Sequence, residues 1–409
     1  MLSENQTKCN NNPPLAEHLN ASKKRYEFKL STFFFVAFFC LIPFDDYLGF
    51  VLPFSLLSLV YLGFIVFTFF EILDCKIGFK INTVVLYLIY SVFSILFTVF
   101  KSGLSYNNLL FFEMLVFYIV FSRKQFSVKE CRHIINTTPF IIGFYILLNL
   151  CYLQNTDIGI YVLLKDIVDP NYFVTNMCLV LVLYCFNIQL ERKKPLKILK
   201  MFILLAYFVI IALIGSRGGL LASVIAVVVY FLTQSKKPLK AFLCMLVVLL
   251  IAVILANFLL PEYISQRFTL NNMIEGGGSG RLTIWENYFA MYSEQNLFGL
   301  LFGVGRNSAP SLYLENFGRP YYAHNIFVRA LLETGIFGLA LLIVLMIFIL
   351  RKGIKEKNGA LVAALLGFVT GAFFLDMDNM RVFWLLIAFA TIKIEDNKTL
   401  YVWRGKVKC

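Results

Sequence analysis

The chain is a succession of long apolar runs separated by short polar segments. A helix needs roughly 20 apolar residues to cross the hydrocarbon core of a bilayer, and many runs approach that length. The runs cover residues 30–45, 47–70, 81–100, 107–121, 134–153, 171–190, 198–214, 217–233, 240–260, 324–350, 359–375 and 379–392. This pattern predicts an all-α polytopic membrane protein of about 12 transmembrane helices, although the last two runs could instead form a re-entrant hairpin.

The polar segments set the predicted organisation of the chain. We predict a cytoplasmic polar tail (1–29), transmembrane helices one to nine (30–260), a periplasmic loop with a short amphipathic helix (261–323), transmembrane helices ten to twelve (324–392) and a basic cytoplasmic tail (393–409). Lysine and arginine concentrate in alternate segments, beginning with the N-terminal tail, so the positive-inside rule places both termini in the cytoplasm. The first apolar run begins at Leu30, too late for the core of a cleavable signal peptide.

Composition agrees with this class of protein. The chain is 59% hydrophobic and 15% charged, and its mean hydropathy is +0.77. In soluble domains, about 45–50% of the residues are apolar and about 25% are charged. The net charge of +13 would suit nucleic acid, but the charges punctuate apolar runs, so we predict a bilayer and no nucleic acid as partner. The nine cysteines form no C-x-x-C pair or metal-ligand spacing, and no nucleotide-binding or zinc-hydrolase motif occurs.

Basic residues on the predicted periplasmic side are mostly arginines. They are Lys101, Lys165, Arg217, Arg267, Arg281, Arg306, Arg319, Arg329 and Arg381. Arginine is preferred to lysine where a planar fork must hold phosphate or carboxylate through two hydrogen bonds. The segment Gly215–Gly219 places Arg217 at the start of a span, beside a helix N-terminus that Ser216 can cap. This is a candidate phosphate site, and the alternative is a capped turn with a snorkelling arginine.

The predicted periplasmic loop has an order of its own. A glycine-rich hinge over residues 275–280 is followed at once by Arg281. Residues 283–295 then place aromatic side chains at helical spacing, which predicts an amphipathic helix either at the membrane interface or packed on the bundle. Loops of this length are more often functional than not.

The next span opens on Tyr321–Asn325. Among the three histidines of the chain, His324 is alone on the predicted periplasmic side, at a helix N-terminus that favours the neutral ring of a base. The alternative is a structural histidine. Asn325, Arg329 and Glu333 share one helix face, where a buried ion pair could be functional or could hold the fold.

Other polar groups mark the ends of spans. Asp169 and Pro170 fit the N-cap and first position of a helix, followed by Asn171. Acids and an arginine mark the first turn and the final hairpin on the periplasmic side, and we interpret them as boundary residues. They are Asp45, Asp46, Asp376, Asp378 and Arg381, and Asn379 belongs to the same set.

These features together resemble the O-antigen ligase and polymerase superfamily of bacterial inner-membrane glycosyltransferases. The resemblance rests on the Ser216-Arg217-Gly218 turn, on Gly280-Arg281 followed by Trp285, on Phe302–Gly305, on His324-Asn325 followed by Glu333-Thr334-Gly335, and on Asp169–Asn171. The topology covers most of the chain and the motifs cover residues 169–340.

The resemblance implies a donor glycan on undecaprenyl diphosphate, a sugar hydroxyl as acceptor, and no cofactor, nucleotide or divalent metal. It implies that Arg217 and Arg281 bind the diphosphate and that His324 assists the attacking hydroxyl. Arg306, Arg319, Asn325, Arg329 and Asn171 are further candidates for substrate binding. A chain-length regulator and a flippase are the implied partner proteins.

Three functions fit this reading. The first is a polymerase that joins lipid-linked repeat units of an O-antigen or capsule, and the second is a ligase that transfers glycan to lipid A core. The third is a lipid-linked oligosaccharide flippase, which should carry charges along a central path. The predicted spans are almost free of charge and their polar features gather at one face, which favours surface chemistry.

Overall fold

The structure, a computed structural model, describes residues 29–52, 55–72, 83–102, 106–156, 159–234, 238–259, 280–376 and 380–394. The helices begin with α1 Leu30–Leu41, α2 Asp45–Val51, α3 Leu56–Ile72, α4 Thr83–Ser102, α5 Tyr106–Phe121, α6 Val128–Cys151, α7 Leu164–Ile167, α8 Pro170–Asn176 and α9 Cys178–Leu190. They continue with α10 Lys194–Ile214, α11 Arg217–Gln234, α12 Pro238–Leu259, α13 Arg281–Ser293, α14 Leu297–Phe302, α15 Ala309–Phe317, α16 Ile326–Lys355, α17 Gly359–Ala372 and α18 Arg381–Thr391.

Each predicted apolar run contains a helix, so the fold is that of a helical polytopic membrane protein. Seven helical segments of the described residues are long and apolar enough to cross a membrane by length and composition. The number of true crossings stays a prediction. Almost all of both predicted tails lies outside the described residues, as do the loop up to residue 279, Arg267, Asp378 and Asn379.

Two pairs of short strands accompany the helices of the predicted all-α fold. Strands β1 Gln125–Phe126 and β4 Lys393–Ile394 pair in parallel, and β2 Leu153–Thr156 pairs antiparallel with β3 Gly159–Val162. Strands this short carry too few residues for an alternating pattern to be seen in sequence. The loop before α16 also holds three helices, α13 to α15, where one was predicted.

Burial separates central helices from those at the periphery. In the segment Pro170–Leu190, 89% of the most apolar 18-residue stretch is buried. A helix that is apolar on all sides is suited to the centre of a bundle. Peripheral helices instead expose large apolar side chains, among them Phe100 at 89%, Phe140 at 78% and Phe202 at 63%. Such surfaces suit contact with lipid.

Ion pairs hold the helices together at both ends of the bundle. At one end, which we call the lysine end, Lys124 is 1% exposed and pairs with Glu71 at 3.0 Å and Glu130 at 3.6 Å. At the other, which we call the arginine end, Arg381 pairs with Glu113 at 3.1 Å and with Asp45. Arg217 and Arg281 lie at this second end, because Asp169 is within electrostatic range both of Arg281 and of the acids beside Arg381. The predicted boundary residues Asp45 and Arg381 therefore form an ion pair between α2 and α18, in which Arg381 is buried and Asp45 is partly exposed.

The long helix α16 is broken at Gly335, whose φ is 65°. The break leaves carbonyls without helical partners, and Val304 N donates to Leu332 O at 3.0 Å while Gly305 N donates to Glu333 O at 2.9 Å. The loop after α14 therefore packs directly on the break, backbone against backbone. A Cβ on Gly335 would collide with the backbone of Leu301.

We expect Gly335→Ala to destabilise the fold by more than the about 1–3 kcal/mol that a strained backbone conformation costs. The added Cβ must also displace the backbone of α14 at Leu301. Gly318→Ala is the matched control, because Gly318 has φ 74° but no atom within 4 Å of an added Cβ. Thermal unfolding of both variants in detergent, followed by size-exclusion chromatography, compares them. Equal losses of stability would show that the packing of the loop on the break contributes nothing.

Candidate functional site

The turn between α10 and α11 presents Arg217 at the arginine end. Helix α10 ends at Gly215 in the left-handed conformation, with φ 74°. Ser216 is 1% exposed, and its Oγ accepts a hydrogen bond from Gly219 N at 3.3 Å, so the predicted cap of α11 is confirmed. Arg217 is the first residue of α11 and is partly buried. The positive end of the helix dipole thus lies beside the guanidinium.

Helix α8 packs against this turn. Asp169 caps α8, as predicted, because its Oδ1 accepts from Asn171 N at 2.8 Å. The side-chain Oδ1 of Asn171 accepts in turn from Ser216 Oγ at 3.0 Å. The approach is close, since a Cβ on Gly219 would lie 2.6 Å from Val174. Asn171 therefore holds the two helix starts together.

Arg281 begins α13, and the fold brings it to the same place. Its guanidinium lies 5.6 Å from the centroid of the Phe374 ring. The same ring would lie 3.1 Å from a Cβ on Gly218, the residue after Arg217. Phe374 thus packs between the turn of Arg217 and the start of α13, and it supports one arginine by a cation–π contact.

The two arginines are close enough to influence each other. Burial lowers the pKa of Arg281 from its ordinary value, and the charge of Arg217 lowers the pKa further, whereas Asp169, Tyr172 and Asp376 oppose this shift. Two partly buried cations that repel each other are stabilised by an anion that both can contact. The arrangement is therefore suited to a ligand with more than one negative charge.

His324 lies at this end of the bundle in a strained loop. Its φ is 49°, which is uncommon outside glycine and costs free energy. The Asp376 carboxylate holds the loop, accepting from His324 N at 3.1 Å and from Asn325 N at 3.1 Å. The imidazole Nδ1 is buried and finds no hydrogen-bond partner in the part of the chain that the structure describes. Strain held by several bonds is a feature of functional sites.

Helix α13 holds the same loop from its other side. Trp285 Nε1 donates to Ala323 O at 2.8 Å, and Tyr288 Oη donates to Tyr321 O at 2.9 Å. Burial raises the pKa of Tyr288, so its hydroxyl remains protonated and able to donate. The predicted helix is confirmed, and these aromatic side chains pack on the protein. One helix thus carries Arg281 and positions the loop of His324.

We expect Trp285→Phe to reduce the rate of the reaction about tenfold while the fold is retained. The change removes the bond to the buried Ala323 carbonyl, which is worth about 1–1.5 kcal/mol, and loosens the loop of His324. Phe289→Leu is the control, since Phe289 is 48% exposed on the same helix. Initial rates with purified protein test this expectation, and a Trp285→Phe rate equal to that of the control would exclude the tether.

Two further arginines predicted as substrate contacts have partners within the protein. Arg306 is 2% exposed, and its Nη1 donates to Tyr87 Oη at 3.3 Å and to Ser91 Oγ at 3.4 Å. Arg329 pairs with Glu333 at 3.1 Å and donates to Asn307 at 2.7 Å. The predicted i, i+4 pair is confirmed. Both arginines hold the loop before α15 onto the bundle, so we interpret them as structural.

The last two candidates differ from each other. Asn325 is 4% exposed and caps α16, its Oδ1 accepting from Phe327 N at 2.9 Å and Val328 N at 3.2 Å. Its side chain therefore fixes the helix start next to His324. Arg319 is exposed just after α15. Its part in binding substrate stays a prediction.

The comparisons with known proteins bear on this arrangement. Residues 201–343 match a family model described as O-antigen ligase. Over these residues the chain is similar to the O-antigen ligase family. The resemblance drawn from the sequence is thereby confirmed for this region, which includes Arg217, Arg281 and His324. No curated protein matches the chain.

Parts of the site lie outside the matched O-antigen ligase domain. Asp169 and Asn171 precede it and Asp376 follows it. In the sequence Asp376 reads as the end of a span, and nothing there connects it to His324. The only available signal was its position at the same predicted membrane face. Phe374 had no signal, because one phenylalanine in an apolar run is indistinguishable from the others.

Proposed function

We propose that this protein is a membrane glycosyltransferase that polymerises oligosaccharide repeat units carried on undecaprenyl diphosphate, at the periplasmic face of the bacterial inner membrane. The product would be an O-antigen or a capsular polysaccharide. The observation that carries the proposal is the meeting of Arg217 and Arg281 beside the N-terminus of α11 and the loop of His324.

The two arginines suit a diphosphate leaving group. The bond from the anomeric carbon to the diphosphate oxygen breaks with its electron pair moving onto the diphosphate, so negative charge grows in the transition state. Guanidinium groups fixed in advance near that charge lower the barrier. Arg281 is held on Phe374 and Arg217 on α11, so neither side chain has far to move.

His324 suits the role of general base. The acceptor hydroxyl oxygen forms the new bond to the anomeric carbon, and its proton passes to the imidazole. The residue is partly exposed, so a substrate hydroxyl can approach the imidazole, while its buried Nδ1 makes no hydrogen bond with the described residues. Asp376 holds this residue through the backbone, so the ring is placed by the loop.

The second candidate is an O-antigen ligase, which transfers a finished glycan to lipid A core. The matched family model, described as O-antigen ligase, is compatible with either function. Both reactions break the same bond and need the same leaving group, so the residues above serve either. They differ in the acceptor.

A glycan ladder gel on a deletion strain, with analysis of the lipid-linked intermediates, separates the two. We expect core that carries at most one repeat unit, and no long lipid-linked polymer, as for a polymerase. Bare core with long polymer still on the lipid carrier would show a ligase. An unchanged ladder would exclude both functions. Accumulation of single lipid-linked units on the cytoplasmic side would indicate the flippase.

A further inference from the structure

A cavity with polar and apolar lining lies at the arginine end, between α2 and the start of α18. Its volume is about 450 Å³, within the roughly 300–1,000 Å³ typical of ligand sites. Much of its lining is apolar, and Leu52, Leu57 and Val382 are among these residues. The polar side chains that line it are Asp45, Asp46, Ser55, Asn176 and Arg381.

The polar side of the cavity is fixed and acidic. Arg381 donates to both carboxylate oxygens of Glu113, at 3.2 and 3.1 Å, and also to Asp45. Its charge is therefore compensated within the protein. The exposed residue Asp46 lines the cavity and lies within electrostatic range of Arg381 and Asp169. The carboxylates outnumber the guanidinium, so the cavity disfavours an anion.

Asn176 adds an unused hydrogen-bonding group. The residue is 3% exposed and lines the cavity, and its buried Oδ1 has no partner in the described part of the chain. A buried amide without its bonds is costly, and a bound ligand can supply them. Asn176 ends α8, the helix whose start is bonded to Ser216. Seven residues of helix, about 10 Å, therefore link the cavity to the turn of Arg217.

We propose that this cavity binds a neutral or amino-bearing sugar unit of the glycan substrate, an inference that rests on the proposed function. Carboxylates and an amide accept hydrogen bonds from hydroxyl or ammonium groups, and the apolar wall suits the C–H face of a sugar ring. The acidic cavity and the two arginines then divide one substrate by charge. The diphosphate goes to Arg217 and Arg281, and the sugar goes to Asp46 and Asn176.

Other occupants fit less well. A polyprenyl chain would cover Asp46 and Asn176 without replacing their hydrogen bonds with water. Among the described residues, no group of three or more His, Cys, Asp or Glu side chains is placed to hold a metal ion. A phosphate group in the cavity would be repelled by the carboxylates of Asp45 and Asp46.

Binding measurements on the purified full chain in lipid nanodiscs test the proposal. The probes are the repeat-unit oligosaccharide of the source strain, released from its lipid by mild acid, and inorganic pyrophosphate. We expect Asp46→Asn and Asn176→Ala each to lower the affinity for the oligosaccharide at least about tenfold. The affinity for pyrophosphate should not change. Glu315→Gln, an exposed acid on α15, is the control and should bind both as the wild type does.

Asp46 is chosen because it is outside the Arg381 ion pairs, so its variant should fold. Unchanged oligosaccharide affinity in both variants would overturn the cavity assignment even if the wild type transfers glycan. Loss of binding to both the oligosaccharide and pyrophosphate would also overturn the cavity assignment, because the two binding regions would then not be separate. A wild type that binds oligosaccharide but transfers no glycan would instead contradict the proposed function alone.

Discussion

Arg217→Lys is expected to lower glycan transfer by about 10²–10³-fold, the effect of removing one fixed donor to a developing anion. Lysine keeps the positive charge but lacks the planar group that donates two parallel hydrogen bonds. Its flexible ammonium is also held less firmly than the guanidinium that Arg217 places at the start of α11. The protein should still fold, because Ser216 rather than Arg217 caps the helix. Initial rates with purified lipid-linked substrate give the measurement.

The control for Arg217 is Arg351→Lys, an exposed residue near the lysine end of α16. It should transfer glycan at the wild-type rate. Arg281→Lys should resemble Arg217→Lys, and it also weakens the contact with Phe374. Activity close to wild type in Arg217→Lys would mean that Arg217 is only a snorkelling arginine at the membrane surface. That result would contradict the proposed diphosphate site.

His324→Asn is expected to leave a folded protein whose transfer rate is lower by about 10²–10⁴-fold, the usual contribution of a general base. Asparagine tolerates the left-handed backbone that the structure requires here, with φ 49°, but it cannot take up a proton. His324→Ala removes the same base, and its strain at positive φ adds a loss of stability. Donor binding should survive in His324→Asn.

His133→Ala is the matched control, because His133 is exposed near the lysine end of α6. Its activity should match that of the wild type. Wild-type glycan from His324→Asn would remove His324 from the mechanism. Loss of donor binding together with activity would assign His324 to the diphosphate site instead.

Enzyme and transporter make different demands on the charges of the bundle. The buried ion pairs of the described residues lie at its two ends, around Lys124 at one and around Arg381 and Arg329 at the other. Breaking such a pair typically costs about 3–5 kcal/mol, so these groups are firmly committed to holding helices together. Among the described residues, these pairs do not form the charged central path that a flippase should carry.

Local sequence determined much of the helical framework. Apolar runs fix which segments are helices, because a backbone in lipid must satisfy its own hydrogen bonds. Caps were also readable, as Asp169 with Pro170 and Ser216 with its glycines show. These features depend on neighbours within a few residues, and a pattern of that range is visible in one sequence. The resemblance to the superfamily supplied the roles proposed for Arg217, Arg281 and His324.

Tertiary structure alone decided how those residues meet. The support of the His324 loop by Asp376 and Trp285, the contact of Arg281 with Phe374 and the cavity lined by Asn176 all join distant parts of the chain. The same holds for Arg306, which the sequence offered as a substrate contact and the fold places against α4 and α5. Hydrophobic periodicity reports which face of a helix is apolar, but it does not say which helix packs there. Partners of polar side chains follow from that packing, so only the folded bundle could determine them.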